Sequence, residues 1–455
     1  MLNPTLSRRG LLRFGAQAGV AAGLSTTLGG LQRALAASDT SGYKALICVF
    51  LYGGNDSYNW LVPRGQSDYD LYAQVRQNLA LARDDLLPLT PLNTGGRDYG
   101  LHPSCTALAA LFQAGKAAFI ANTGTLIQPT SATQFRNESV PLPPQLFSHS
   151  DQQSQVMTAV PQANAPYGWG GRVADLLDSE GYNQRLAINI SLNGNNIFQS
   201  GSRTVFYNLS TNGAPELNLY RDTYYRDGKR RKLFLRLLDQ AQTSPNRLRQ
   251  EFAATVQRSY EQAEFINTAV EAAPALSTEF PQNYLGAQLR MATRMIQARS
   301  ALGVQRQVFF IGAGGWDFHD NQLNDQAARL GELSESLGAL QRALAEIGAE
   351  SQVTTFTASD FGRTLTSNGD GSDHGWGGHS LVLGGSVLGQ RVYGRYPDLT
   401  LDGPDDGGSG RIIPGTSTDQ VAATLASWFG VGSSDLDLVF PNLRNFSQRN
   451  LGFMA

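Results

Sequence analysis

The stretch Asp373-His374-Gly375-Trp376-Gly377-Gly378-His379 holds two of the chain's five histidines among three glycines and a tryptophan. The other three also sit in polar turns: His102 before Pro103, His149 within Ser148-His149-Ser150-Asp151, and His319 within Asp317-Phe318-His319-Asp320. Imidazoles mixed with carboxylates suit a divalent ion such as Zn or Mn, with Ca the oxygen-preferring choice. Glycines beside them let backbone and ion approach closely. The residue types therefore predict a metal site drawn from Asp56, Asp317, His319, Asp360, His374 and His379, with His102 a structural cap for the following helix.

Such a site needs elements that bring distant turns together. Buried strands are expected at 44–52, 117–122, 186–190, 307–311 and 353–357, from short apolar runs bounded by turn residues. Helical patterns fall between them, at 106–114, 172–178 and 323–347. This alternation predicts an α/β fold, a mostly parallel sheet with helices on both faces. The interval from about 216 to 302 carries no strand signal and reads as a helical insertion. Ligands in open α/β sheets sit beyond the carboxyl ends of the strands. Three of the expected strands run into Gly53-Gly54-Asn55-Asp56, Gly315-Trp316-Asp317 and Ser359-Asp360-Phe361, so their carboxylates are expected to meet on one edge.

Composition narrows the partners. The 36 Lys+Arg nearly balance 38 Asp+Glu, which gives no reason to expect nucleic acid or an anionic membrane as the main partner. The basic run Arg226, Lys229, Arg230, Arg231 and Lys232 reads as the solvated start of a helix. Cys48 and Cys105, the only two cysteines, lack C-x-x-C spacing and read as small buried residues rather than a disulfide. At the other extreme of the chain, Ser7-Arg8-Arg9 precedes a weakly apolar run and Ala34-Leu35-Ala36. That pattern predicts a twin-arginine signal peptide over residues 1–37, with the twin-arginine translocase as the partner during export of a folded, periplasmic or secreted protein. The run is too short and too rich in small residues to span a bilayer stably. Residues 38–455 then form one α/β domain with its insertion.

Phe50-Leu51-Tyr52-Gly53-Gly54-Asn55-Asp56, Ser148-His149, Gly168-Trp169-Gly170-Gly171-Arg172, Gly315-Trp316-Asp317-Phe318-His319, Ser359-Asp360-Phe361-Gly362-Arg363-Thr364 and Asp373-His374-Gly375 occur in one order. With the leader, they make the chain resemble the exported domain-of-unknown-function family 1501, which is similar in turn to the alkaline phosphatase and sulfatase superfamily. That resemblance implies a metal-dependent hydrolase of phosphate or sulfate esters, acting on a small anionic ester or an envelope polymer. Carried over by position, Asp56 resembles the first metal aspartate, Asp317 with His319 an Asp and His pair, and Asp360 the aspartate of an Asp-His dipeptide whose histidine is replaced here by Phe361. His374 or His379 is then expected to supply the missing imidazole.

Ser148 or Ser150 stands about where the superfamily places its nucleophile, with His149 as a ligand or orienting group. A serine hydroxyl needs a base or a metal to act at neutral pH. Arg363 and Arg172 could each bind an anionic oxygen bidentately or serve as structural ion-pair partners. Two other classes stay open. One is a non-catalytic metal- or ligand-binding protein on the same scaffold, for which Phe361 speaks. The other is a metal-free serine esterase, which the absence of a G-x-S-x-G elbow disfavours.

Overall fold

A computed structural model describes residues 42–162, 164–183, 185–215 and 228–455. The expected leader over 1–37 and Arg226 of the basic run lie outside the described residues. The strands are β1 (Lys44–Leu51), β2 (Leu61–Pro63), β3 (Leu87–Leu89), β4 (Tyr99–Leu101), β5 (Ala117–Gly124), β6 (Asn189–Ser191), β7 (Tyr207–Asn208), β8 (Arg306–Ala313), β9 (Val353–Ser359), β10 (Arg363–Ser367), β11 (Ser372–His374), β12 (Gly378–Gly384), β13 (Arg391–Tyr393) and β14 (Thr416–Ser417). Nine of them form the central sheet in the order β13-β5-β12-β9-β1-β8-β6-β7, with β14 also paired to β5. Every pairing in it is parallel except those of β12, which runs against both β5 and β9.

Strand β1 is the spine, because it is apolar on both faces. Ala45, Ile47, Val49 and Leu51 point into one core and Leu46, Cys48 and Phe50 into the other, as the two-residue side-chain period of a strand requires. On the first face, Leu330, Leu333, Leu337, Leu340 and Leu344 line one stripe of the helix Gln322–Glu346. The second face is covered by Thr418–Phe429, whose Ser417 and Gln420 form a reciprocal N-terminal cap, and by Trp169–Asp178. Both cysteines are buried and unpaired with each other.

Register places the edge that matters. Leu51 pairs with Ala313 of β8 and with Ser359 of β9, so three parallel strands end at one level. Because β12 is antiparallel, its first residues, Gly378 and His379, begin at that same level. The ribbon of β10 and β11 lies between β9 and β12 in the chain and pairs Arg363 with His374. Between β7 and β8 the described residues carry the helices Lys229–Gln242, Arg247–Ala272, Tyr284–Gln297 and Arg299–Leu302, and no strand. The described part of the basic run opens the first of these. Among the described residues no helix is long and apolar enough to cross a membrane.

Candidate metal centre

The turn after β1 is the tightest part of the edge. Gly53 and Gly54 have φ of 121° and 84°, and a Cβ on Gly53 would overlap the backbone nitrogen of Asp317, one on Gly54 the Phe361 ring. Only glycine combines that backbone conformation with that proximity. The Gly53 N–H donates to Asp360 Oδ2 at 3.1 Å, and its carbonyl accepts from Arg363 Nη1 at 3.1 Å. Ser359 Oγ closes the layer, donating to the Leu51 carbonyl at 2.7 Å and accepting from Asn55 N–H at 2.9 Å.

Onto this platform four side chains converge. His149, the first residue of the helix His149–Thr158, brings Nε2 to 3.1 Å from His374 Nε2 and to 3.5 Å from Asp317 Oδ2. His319 Nε2 lies 3.0 Å from His374 Nε2 and 3.0 Å from Asp317 Oδ1. His374 Nε2 is 3.4 Å from Asp317 Oδ1. His149, Asp317 and His374 thus offer three ligand atoms within 4.8 Å of one another. The Asp317 side chain is 43 % exposed and that of His149 31 %, so the cluster opens to solvent.

The remaining ring nitrogens fix the tautomers. His149 Nδ1 is 2.6 Å from Asp360 Oδ2, and His374 Nδ1 is 2.8 Å from the Phe147 carbonyl. A carbonyl or carboxylate oxygen only accepts, so each Nδ1 carries the proton and each Nε2 presents a lone pair. Two lone pairs facing each other at 3.1 Å repel unless a proton or a metal ion lies between them. Around a tetrahedral Zn with bonds of about 2.0–2.1 Å, ligand nitrogens stand roughly 3.3 Å apart, and the spacing here fits that set.

Electrostatics agree. Partial burial raises the Asp317 carboxyl, but the hydrogen bond and charge of Arg363, with His319 and His149, outweigh it and hold the group below its usual value. Burial pulls His374 below the ordinary imidazole value against the Phe147 hydrogen bond, which works upward. Both keep the ligand atoms unprotonated.

The other sequence-expected residues fall elsewhere. Asp360 borders the cluster, but its Oδ2 is taken by His149, by Gly53 N–H and by Gln153 Nε2 at 2.8 Å, so it orients His149 rather than facing an ion. Asp56 turns inward instead of toward the edge. Its carboxylate pairs with Arg76, both side chains fully buried, and accepts from Gln322 and from Tyr58 N–H. His379 is buried against Tyr58 and Tyr396 instead of at the cluster, and its Nδ1 accepts from Asn122 N–H at 3.0 Å.

Ser148 is the N-terminal cap residue of His149–Thr158, and its Oγ donates to Asp151 at 2.6 Å. Exposed Ser150 lies 3.3 Å from the same carboxylate. Arg363 is fully buried, with each of its three nitrogens already donating to Ser372, Gly53 or Asp317, so it sits beneath the cluster rather than reaching out to a substrate oxygen. Arg172 is likewise committed, to the carbonyls of Val439, Tyr167 and Thr158. His102 Nδ1 accepts from Ser104 N–H in the turn before the helix Thr106–Gln113, whose cap residue is Cys105, so it braces the turn rather than capping the helix as expected.

Three contributors went unread in the sequence. Gln153 follows His149 by four, one helical turn, and that spacing was a usable signal. The Phe147 carbonyl and Gln322 carried none, because a backbone oxygen has no sequence signature and glutamines abound on helices.

Several solved structures are similar in overall shape. The lipoteichoic acid synthase LtaP from Listeria monocytogenes is 10 % identical with a TM-score of 0.35, covering 88 % of this chain and 75 % of that one. A protein in the alkaline phosphatase superfamily from Vibrio parahaemolyticus is 10 % identical with a TM-score of 0.35, covering 87 % and 69 %. The C-terminal periplasmic domain of EcEptC from Escherichia coli, in complex with Zn, is 9 % identical with a TM-score of 0.32, covering 76 % and 74 %. No curated protein matches the chain. The model of the family described as "Protein of unknown function (DUF1501)" matches residues 43–409, and over that span, most of its length, the chain belongs to this family.

Proposed function

We propose that the chain is an exported, metal-dependent hydrolase of phosphate or sulfate esters. The observation that carries the reading is the convergence of the Nε2 lone pairs of His149 and His374 on Asp317 and His319. Several imidazoles with one carboxylate favour Zn or Mn over Ca, which prefers oxygen ligands. A divalent ion bound there would act as a Lewis acid toward an anionic ester oxygen and ease deprotonation of an attacking hydroxyl or water.

The chain's own residues prepare that chemistry. Asp360 fixes the His149 tautomer, the Phe147 carbonyl fixes that of His374, and Arg363 holds Asp317 in place, which is how groups behind metal ligands set their orientation and basicity. Arg363 also adds a buried positive charge under the open face, favouring an anionic substrate. Ser148 and Ser150 engage Asp151 rather than the cluster. Water is therefore the attacking species we favour. The same observation supports the second reading, a metal-binding protein without turnover. Export rests on the Ser7-Arg8-Arg9 pattern of the leader.

The test is metal analysis of the purified mature protein after Zn or Mn supplementation, followed by assays on aryl phosphate, phosphodiester and aryl sulfate. One ion per chain and metal-dependent turnover of one ester class are expected. Failure to hold stoichiometric metal would overturn the enzyme reading, and metal without turnover would leave the binding protein.

A further inference from the structure

The basic residues from Lys229 to Lys232 take no part in the metal centre, and they open a helical hairpin. The helices Lys229–Gln242 and Arg247–Ala272 are joined by a short turn, and Arg231 Nη2 donates to Tyr260 Oη at 3.4 Å, so the two run antiparallel. Four large apolar side chains stand out from them: Leu233 and Leu237 on the first, 56 % and 53 % exposed, and Leu248 and Phe252 on the second, 82 % and 69 % exposed. Each pair is spaced i,i+4, one above the other on its helix. At 3.6 residues per turn, the first pair stands about 140° round its helix from Arg231 and the second about 100° round from Tyr260, in the same sense. Equal senses in an antiparallel pair mean one side, so all four project from the same side of the hairpin.

Charge decides what such a surface fits. Residues 229–258 carry eight Lys and Arg against Asp239 and Glu251 alone, in a chain whose net charge is −2. Exposed Lys229 and Arg236 stand four before and three after Leu233, and exposed Arg249 three before Phe252, so cations border the apolar side chains. A second copy of the chain would set cation against cation across a symmetric contact. A soluble anionic polymer would answer the cations but offer no apolar phase to the leucines and the phenylalanine. An anionic lipid surface answers both: apolar side chains enter the boundary of headgroups and acyl chains, while Lys and Arg stems carry their charge back to the phosphates. We propose that this hairpin docks the protein on a bilayer containing anionic lipid, lying on the membrane rather than crossing it. The even balance of charge over the whole chain hides this, because the basic surplus is local. The docking does not depend on the ester reading.

Sedimentation of the full-length mature protein with vesicles tests this, comparing phosphatidylcholine alone with a mixture containing phosphatidylglycerol, at low and high salt. The mixed vesicles should bind it about ten-fold or more tightly than phosphatidylcholine alone, and high salt should remove most of the difference. Replacing the four together, Leu233→Ser, Leu237→Ser, Leu248→Ser and Phe252→Ser, should weaken binding to mixed vesicles about ten-fold or more. Both native cysteines are buried, so Leu248→Cys carries an environment-sensitive dye at one place and decides the matter if the four-serine variant does not fold. Its emission should shift to the blue with mixed vesicles and stay unshifted with soluble polyphosphate. No binding to mixed vesicles, equal binding to both vesicle types, binding untouched by the four serines, or an unshifted dye would each overturn the proposal. Serine-sensitive self-association without vesicle binding would overturn it in favour of a second copy. Chelated protein should bind as well as untreated protein, so failure of the metal centre alone would leave the proposal standing.

Discussion

Removing Asp56 separates the two kinds of aspartate at the strand ends. In the sequence Asp56, Asp317 and Asp360 look equivalent, each shortly after a parallel strand, yet Asp56 and Arg76 form an ion pair with both side chains at 0 % exposure. Asp56→Ala leaves the Arg76 guanidinium buried with Asn59 Oδ1 and the Thr364 and Leu365 carbonyls, and no carboxylate. Breaking a buried pair by deleting one partner costs about 3–5 kcal/mol. Full burial means no solvent screening reduces that figure, and it is a large share of the 5–15 kcal/mol typical of a folded domain. Arg76→Met should cost a similar amount. The double variant should cost less than the sum, because no charge is left unpaired. Urea unfolding followed by tryptophan fluorescence gives the three free energies, and metal analysis of the folded protein should find the ion retained in Asp56→Ala. A variant that keeps wild-type stability but loses the ion would refute the separation of Asp56 from the metal centre.

Further outcomes follow from the same geometry. His374→Ala should abolish stoichiometric metal binding, whereas Asp360→Asn should lower affinity about 10–100-fold, the usual cost of losing a group that orients a ligand; competition with a metallochromic chelator distinguishes them, and equal losses would make Asp360 a direct ligand. Ser148→Ala should keep both metal and turnover, and loss of turnover with metal retained would restore Ser148 as nucleophile. Asp419 is fully buried, and burial raises its carboxyl from 3.8 to about 7 against Ser417 and Arg172, which pull it down. Its stabilising contribution is therefore complete below pH 3.8 and is lost progressively as pH rises to about 7. Asp419→Asn should flatten the fall in melting temperature across that window relative to wild type, and an unchanged difference between pH 4 and pH 7 would refute the assignment.

What the sequence could show depended on length and periodicity. Strands β1, β5, β8 and β9 have seven or eight residues each and buried cores, and each stands out as an apolar run. The strand expected at 186–190 shrinks to the three residues Asn189–Ser191 and slides toward its end, since only those residues reach β8. The small sheet of β2, β4 and β3 has three residues per strand, too few for any alternation to register. Strand β12 is hidden because its glycines at 378 and 384 make it look like a continuation of the loop. That hidden strand explains the site as well. Once Gly378–Gly384 is a strand, alternation puts His379 on the face of Leu381 and Leu383, against Tyr58 and Tyr396, while His374, in the ribbon before it, stays at the rim. Five residues of separation could not reveal that.

The division of labour at this edge follows from burial. The atoms that would touch an ion belong to exposed or half-exposed side chains, His149, Asp317, His319 and His374, so ion and substrate can reach them. The groups that aim those atoms, Asp360 and Arg363, are fully buried, where neighbours hold their rotamers and water cannot compete for their hydrogen bonds. Asp360 occupies the boundary. One of its oxygens, Oδ2, faces His149 and the open cluster. Phe361, next in the chain, packs its ring 4.8 Å from those of both His149 and His374, and so gives the cluster one apolar side. A histidine at 361 would bring a further nitrogen to the cluster and give up that apolar side. With phenylalanine there, the side chains that would hold an ion, His149, Asp317, His319 and His374, all come from the segments around position 361.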